Sequence, residues 1–161
     1  MKVTIKKGQT MDTIGTIYTP YPTKQDCPIQ PRYASGASGR VELLPQYAEG
    51  LKDIETFSHI YLLYLFDRSG EIILARPTFL DETPHGIYAS RHPCRPNNIG
   101  LSIVRLLSRE GATLLVEGVD MLNETPLLDI KPYIPQYDAI PDANPGWTAR
   151  VPWRQKPEGR E

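Results

Sequence analysis

The sequence holds little of what marks several large protein classes. Its two cysteines, Cys27 and Cys94, are too few for a disulfide framework. No apolar run approaches the roughly 20 residues that a membrane helix needs. The longest, Ile60 to Phe66, falls far short of it. Met1 to Met11 carries lysines but no apolar core segment, so no signal peptide is recognisable. A surplus of one charge is missing too. The net charge is −1 and the pI near 6.3, which excludes a protein held on nucleic acid by its overall field. A soluble cytoplasmic protein is the economical reading, and any RNA contact has to come from a local patch.

Several catalytic signatures are also absent. No G-x-G-x-x-G follows a strand and no G-x-x-x-x-G-K-[ST] occurs, so the usual dinucleotide and triphosphate cradles are excluded. Ser35-Gly36-Ala37-Ser38-Gly39 reads as a flexible loop instead. No G-x-S-x-G elbow supports a hydrolase triad. His92-Pro93-Cys94 invites a metal reading, but Cys94 is followed by Arg95, Pro96 and Asn97, so the second thiolate of a zinc deaminase is missing. His59, His85 and His92 show no ligand spacing, and His59, inside an apolar run, reads as a hydrogen-bonded core histidine. No metal is expected.

What is present suits one domain: 161 residues, 40% hydrophobic and 23% charged. Sixteen prolines disfavour long helices, because proline removes a backbone donor and fixes φ. Residues 13–18 read as a first strand, and 20–39 as a loop dense in Pro, Gly, Ser and Tyr. Arg40 to Leu44 alternates as a short strand, and Tyr47 to Ile54 suits one or two helical turns. Ser58 to Asp67, rich in Ile, Leu, Tyr and Phe, reads as a buried strand. Ile72 to Pro77 and Gly86 to Ser90 are further strand candidates. Leu101 to Leu107 and Thr113 to Val119 flank a hairpin turn at Glu110-Gly111. The sum is an all-β, mainly antiparallel domain: a small barrel or sandwich with short helical turns. We expect a barrel domain over 1–138 and an irregular, proline-rich basic tail over 139–161, with its last residues mobile.

Four segments carry chemistry. Pro28 to Arg32 is a stiff loop with an amide and a guanidinium. Phe66-Asp67-Arg68 ends a strand in a charge pair, which a structural salt bridge at a sheet edge would also explain. Ala89 to Gly100 holds Arg91 and Arg95 between prolines, the fixed polar loop that preorganised recognition requires. Gly118 to Tyr133 places Asp120 and Asn123 in a turn after a strand. Asp129 and Lys131 alternate around Ile130 there, so in an extended chain they face one side. An ordinary turn followed by an edge strand is the plainer reading of this last segment.

Together these segments resemble the TsaA/TrmO-like family, the tRNA N6-threonylcarbamoyladenosine methyltransferases. The match is carried by Ile14-Gly15, Pro20-Tyr21, Gln30-Pro31, Gly50-Leu51 through His59, and Ala89-Ser90-Arg91. Arg95-Pro96-Asn97 with Ile99-Gly100, Asp120, Thr125-Pro126 and Asp129-Ile130-Lys131-Pro132-Tyr133 complete it. It spans about residues 13–138, and the R-P-N-x-I-G and D-I-K-P-Y stretches are the specific ones. Asn123-Glu124 stands where the better-known bacterial members resemble Asp-Gly, and the extra C-terminal domain of the longer ones is not seen.

The resemblance implies a single-sheet β-barrel that dimerises, with S-adenosylmethionine bound near the subunit interface. Its contacts would be Gln30, Pro31, Arg32, Asp67, Arg68, Arg91, Leu101 and Asp120-Met121-Leu122-Asn123. The implied reaction methylates N6 of threonylcarbamoyladenosine beside the anticodon of tRNA. That nitrogen is urea-like, with a delocalised lone pair, so its proton must be accepted during transfer. Asp129 is the carboxylate to test as base. Arg91, Arg95 and Lys131 suit the substrate's carboxylate and phosphates. The tail from Trp147 to Arg160, with Trp153, Arg154 and Lys156, would stack on RNA or pack on a partner subunit. Rival readings are the same donor with a small-molecule or other nucleoside substrate, and a non-enzymatic barrel that binds RNA or a small ligand.

Overall fold

The computed structural model describes residues 2–5, 9–30 and 36–152. An N-terminal ribbon pairs β1 (Lys2–Ile5) with β2 (Gln9–Asp12), antiparallel. Six strands then close into one antiparallel barrel: β3 (Gly15–Tyr18), β4 (Ser38–Leu43), β5 (His59–Leu65), β8 (Ile99–Glu110), β9 (Thr113–Glu117) and β10 (Thr125–Pro132). Around the barrel the order is β10-β3-β4-β9-β8-β5. Between β5 and β8 an arm leaves the barrel, built on the ribbon of β6 (Ala75–Pro77) and β7 (Pro84–Gly86). The all-β barrel expected from short, evenly spaced strands is what forms.

Two-residue periodicity builds the wall. β8 points Gly100, Ser102, Val104 and Leu106 inward, and Ile99, Leu101, Ile103, Arg105 and Leu107 outward. β5 does the same, with Ile60, Leu62 and Tyr64 inside. Ile17, Val41, Leu62, Val104, Leu114, Val116 and Leu127 fill the interior and are essentially inaccessible to solvent. Burying each such side chain stabilises the fold by about 1.5–3 kcal/mol relative to leaving it in water. The inward residues of β8 also form a gradient. Leucine and valine fill one end, while serine and glycine stand at the other, with the Tyr64 ring packed over the glycine.

The long β8 serves two neighbours. Its first half pairs with β5, from Leu65↔Ile99 to His59↔Arg105. Its second half pairs with β9, from Arg105↔Glu117 to Glu110↔Thr113, across a bulge between Leu106 and Ser108. The β8–β9 turn holds Gly111 at φ 58, the left-handed conformation that tight hairpins demand.

Five local expectations change. The strand read over 13–18 is β3 and not the first, because the β1–β2 ribbon precedes it. Gly86 to Ser90 is not a strand: after β7, Ile87–Ala89 winds into a 3-10 turn with Ile87 buried beneath it. β10 is no edge strand, because it pairs with both β3 and β5 and so closes the barrel. His59 bonds Ser58 Oγ through Nδ1 but stands on the outward face of β5, its ring edge-on to Tyr133. The helical turns near Tyr47 are 3-10 turns, Pro45–Leu51 and Ile54–Thr56.

Candidate functional site

The polar end of the barrel is where β3 and β5 finish and β8 and β10 begin. After β9 ends at Glu117, residues 118–124 lead to β10, and among the described residues the first half of β8 has no strand on the edge away from β5. Extending the β8–β9 register from Arg105–Glu117 places Asp120 opposite Ser102, and there the Ser102 hydroxyl donates to Asp120 Oδ1. Ser102 is also bonded to the Tyr64 hydroxyl at 3.0 Å.

This 118–124 segment is pinned from two sides. Thr19 donates its amide to Asn123 Oδ1 at 3.0 Å and its hydroxyl to the Met121 carbonyl at 2.9 Å. Asn123 returns an amide bond to the Tyr21 carbonyl at 2.8 Å. Cys27 Sγ donates to the Asp120 carbonyl at 3.0 Å. From the arm, Arg68 Nη2 donates to the Asn123 carbonyl at 2.8 Å and to Thr125 Oγ1 at 3.3 Å, while its Nε pairs with Asp67 at 3.1 Å. The Asp67–Arg68 pair is therefore more than an edge salt bridge, because it ties the arm to the Asp120 segment. Glu124 turns the chain into β10 with φ 61, a left-handed conformation that favours glycine.

The arm brings the remaining cation. Arg91 Nη1 donates to Gln30 Oε1 at 2.9 Å, joining the loop after β3 to the loop before β8. Arg95 does the positioning: its Nη1 donates to the carbonyls of Ser90 at 3.0 Å, Ile87 at 3.3 Å and His92 at 3.4 Å. That guanidinium fixes the turn from which Arg91 projects.

Electrostatics single out one carboxylate. Asp120 keeps some solvent exposure, yet protein surrounds its carboxyl so fully that burial pushes its pKa up to about 7. The Ser102 hydrogen bond, a backbone hydrogen bond and the charge of Arg91 pull it back down. Burial, and then the Asp120 charge, push Tyr64 well above the usual phenol range. Tyr21 is raised by burial, then by Cys27 and Asp120. A carboxyl that changes charge near neutrality beside an arginine is the arrangement that recurs at functional sites.

The residues singled out from the sequence divide into two sets. Gln30, Asp67, Arg68, Arg91, Asp120 and Asn123 converge on the polar end. Met121 lies in the core at 3% exposure, and Leu122 accepts a bond from Thr125 Oγ1 through its carbonyl. Pro31 and Arg32 lie outside the described residues. Leu101, Asp129 and Lys131 are elsewhere, on the barrel's outer face. Leu101 is 49% exposed and points away from Ser102, its neighbour in the strand. A bulge between Leu127 and Asp129 resets the parity of β10, so Leu127 and Ile130 face the core while Asp129 and Lys131 pair outside, 3.0 Å apart. Asp129 sits opposite Leu63, and Leu63 opposite Leu101, so these three form one row across three strands. Sequence reasoning missed Ser102, Tyr64, Tyr21 and Cys27. A serine among the apolar inward positions of β8 was the available signal.

The tail also turns inward on its own chain. Trp147 stacks on His85 with centroids 3.7 Å apart, and its Nε1 donates to the Ala89 carbonyl at 2.8 Å. His85 is paired with Asp81 at 3.1 Å. Trp147 thus packs within its own chain, against the arm, where RNA or a partner subunit was expected to receive it. Trp153, Arg154, Lys156 and Arg160 lie outside the described residues.

Fold and cluster define a class: a small closed β-barrel whose polar end is assembled from inter-strand segments around a buried carboxylate, in a sequence without the glycine motifs of the usual nucleotide cradles. Residues 16–139 match the tRNA-methyltransferase O N-terminal domain, and the chain belongs to that family. A "Probable S-adenosyl-L-methionine-binding protein" of Pyrococcus abyssi is 47% identical over 134 residues, covering 83% of this chain and 73% of the relative. The tRNA (adenine(37)-N6)-methyltransferase of Escherichia coli is 32% identical over 151 residues, covering 88% of this chain and 64% of the relative. The crystal structure of TrmO from Pseudomonas aeruginosa superposes with a TM-score of 0.73 at 38% identity, over 86% of this chain and 62% of that one. This chain therefore spans less than two thirds of the last two.

Proposed function

We propose that this chain binds S-adenosylmethionine at the polar end of its barrel and methylates N6 of threonylcarbamoyladenosine at position 37 of tRNA, the position in the E. coli relative's name. The observation that carries this reading is the convergence of Gln30, Arg91 and Asp120 on one barrel end within a domain of this family. The donor fits what is there. Its head carries a sulfonium, an ammonium and a carboxylate; Asp120 is a buried acceptor for the positive groups, and Arg91 is a fork-shaped donor suited to the carboxylate. When bound, it supplies an electrophilic methyl group. Gln30 and Arg91 orient it, and Asp67 with Arg68 holds the segment that carries Asp120.

A second copy of the chain completes the reading. The outer rows Leu65/Ile99, Leu63/Leu101 and Tyr61/Ile103 are apolar where a water-facing strand is normally polar. Ile99, Leu101 and Ile103 are 40%, 49% and 40% exposed. Pairing through this face would bring Leu101 and the Asp129–Lys131 pair toward the partner's polar end, with Asp129 accepting the N6 proton. Arg95 serves by holding Arg91 in place, and Lys131 meets the substrate's anionic groups. The catalytic unit is the barrel over 1–138, with 139–161 as an accessory basic tail, and tRNA places the work in the cytoplasm.

Incubating the purified chain with methyl-labelled donor tests this, using tRNA with and without the threonylcarbamoyl group. Label enters only the modified tRNA, and Arg91→Ala stays folded but transfers nothing. Asp129→Asn lowers turnover by roughly 100-fold with donor affinity unchanged. Equal labelling of unmodified tRNA overturns the substrate assignment, and absence of donor binding by calorimetry overturns the reading entirely.

A further inference from the structure

Beneath Asp120 lies a run of hydroxyls that the cluster's surface residues do not explain. Tyr64 and Ser102 are 3% and 2% exposed, and both face the interior. The Ser102 hydroxyl has one proton, which it donates to Asp120 Oδ1. The 3.0 Å bond between Ser102 and Tyr64 must then run from the phenol to the serine oxygen. With Asp120 ionised, the polarity is fixed from end to end: Tyr64 donates to Ser102, and Ser102 donates to Asp120.

The β5–β8 register builds this run. Leu62 stands opposite Ser102, and Tyr64 stands opposite Gly100. To reach Ser102, the Tyr64 ring lies over Gly100, where an added Cβ would come within 2.2 Å of the ring's Cε2. Phe66 closes the other side, edge-on at 5.3 Å. Glycine is thus required by a neighbour's ring, and the ring's placement serves the hydroxyl chain. A buried phenol held so firmly and bonded to a single serine is hard to explain as packing alone, since phenylalanine would fill the same space.

Resting on the proposed donor binding, we infer that Tyr64 and Ser102 are positioning residues whose hydroxyl chain aims the Asp120 carboxyl as the acceptor for S-adenosylmethionine. Among the described residues, the other groups around Asp120 are Tyr21 from the segment after β3, Cys27 from the same segment at the Asp120 carbonyl, and Arg91 from the arm. Of the side chains around it, Arg91 opposes the carboxylate's burial from the solvent side and Ser102 from within. Removing the serine hydroxyl leaves burial less opposed, so Asp120 holds its proton to higher pH. A protonated Asp120 is a poor partner for the donor's positive groups. Tyr64 acts one step further back, by polarising Ser102.

The decisive measurement is calorimetric S-adenosylmethionine affinity between pH 6 and 9, on the intact chain, with circular dichroism to check folding. In the native protein affinity falls roughly tenfold from pH 8 to pH 6, as one carboxylate near neutrality takes up a proton. Ser102→Ala moves the midpoint upward and weakens binding at pH 7 by about tenfold, with affinity returning at pH 9. Tyr64→Phe moves the midpoint the same way by a smaller amount, and Ser102→Thr, which keeps the hydroxyl, restores it. Asp120→Asn binds weakly with no pH dependence over this range. An unmoved midpoint in folded Ser102→Ala or Tyr64→Phe overturns the inference, as does a loss of affinity equal at all pH values. No heat of binding in the native chain overturns the donor reading itself, and this inference with it. Normal pH-dependent binding that ignores Ser102 and Tyr64 overturns only this inference.

Discussion

The polar end and the outer face of this barrel are lined by the same strands, yet they solve opposite problems. At the polar end, buried charge is surrounded by donors: Ser102, Arg91 and the backbone of its own segment all oppose the burial of Asp120. On the outer face, the Asp129–Lys131 pair stands in solvent with side chains 46% and 62% exposed, beside the apolar row of Leu63 and Leu101. An exposed ion pair of this kind contributes about 0–1 kcal/mol to stability, whereas a buried carboxyl is costly unless every partner is in place. The hydrogen bonds described in the first region all form within one chain. The second is apolar surface with an exposed ion pair, which the proposed second copy would cover.

Asp120→Asn breaks the first region most severely. Donor affinity falls by roughly 30- to 100-fold, the expected loss of a hydrogen bond to a charged group. Stability moves the other way. The folded-state pKa of Asp120 is raised from 3.8 to about 7, so its contribution is fully present below the unfolded value and is lost as pH rises through 7. Above that pH the ionised carboxyl is a burden on the order of 4 kcal/mol, which asparagine removes. The variant melts higher than the native chain at pH 8, and thermal denaturation shows the gap closing as pH falls below 7. A lower melting temperature at pH 8 would mean that the carboxylate's bonds outweigh its burial.

Leu101→Glu tests the second region. A charge in the middle of the apolar rows splits the proposed pair, so sedimentation shows a monomer and methyl transfer falls by roughly tenfold or more. The melting temperature changes little, because Leu101 faces away from the core. A monomeric native protein with full activity would dissolve the contrast between the two faces.

Smaller effects sharpen the link between arm and barrel. Arg95→Ala frees the carbonyls of Ile87, Ser90 and His92, loosens the turn carrying Arg91, and weakens donor binding by roughly three- to tenfold. Amide exchange over residues 87–92 rises with it. Arg95→Lys does not rescue, since an ammonium on a flexible stem does not reproduce the planar fork. Smallest is Glu124→Gly, which relieves a left-handed backbone and raises stability by up to about 1 kcal/mol in chemical denaturation.

The elements that were legible from sequence are those in which each residue's own chemistry decides its place. The apolar run from Ser58 to Asp67 and the alternation before Glu110-Gly111 read as strands of a barrel or sandwich, and they form β5 and β8. Gly86 to Ser90 misled because its Ile-Tyr pair suits a strand, whereas the chain bends there to bury Ile87 alone. The site was partly legible: Gln30 and Arg91 stood out as polar groups in stiff loops, and Asp120 as an acceptor in a turn after a strand. Ser102 and Tyr64 did not, because a serine and a tyrosine inside strands carry no local mark of being joined.

Sequence alone determined the kinds of element and their chemical character, since periodicity, proline and glycine act through the backbone of each residue and its near neighbours. Only the tertiary structure decided which side chains meet. The β8–β9 register set Asp120 against Ser102, and one bulge in β10 turned Asp129 outward. A shift of a single residue in either place would exchange the two faces of the wall, because side chains in a strand alternate with period two and nothing in the local sequence fixes the register between strands.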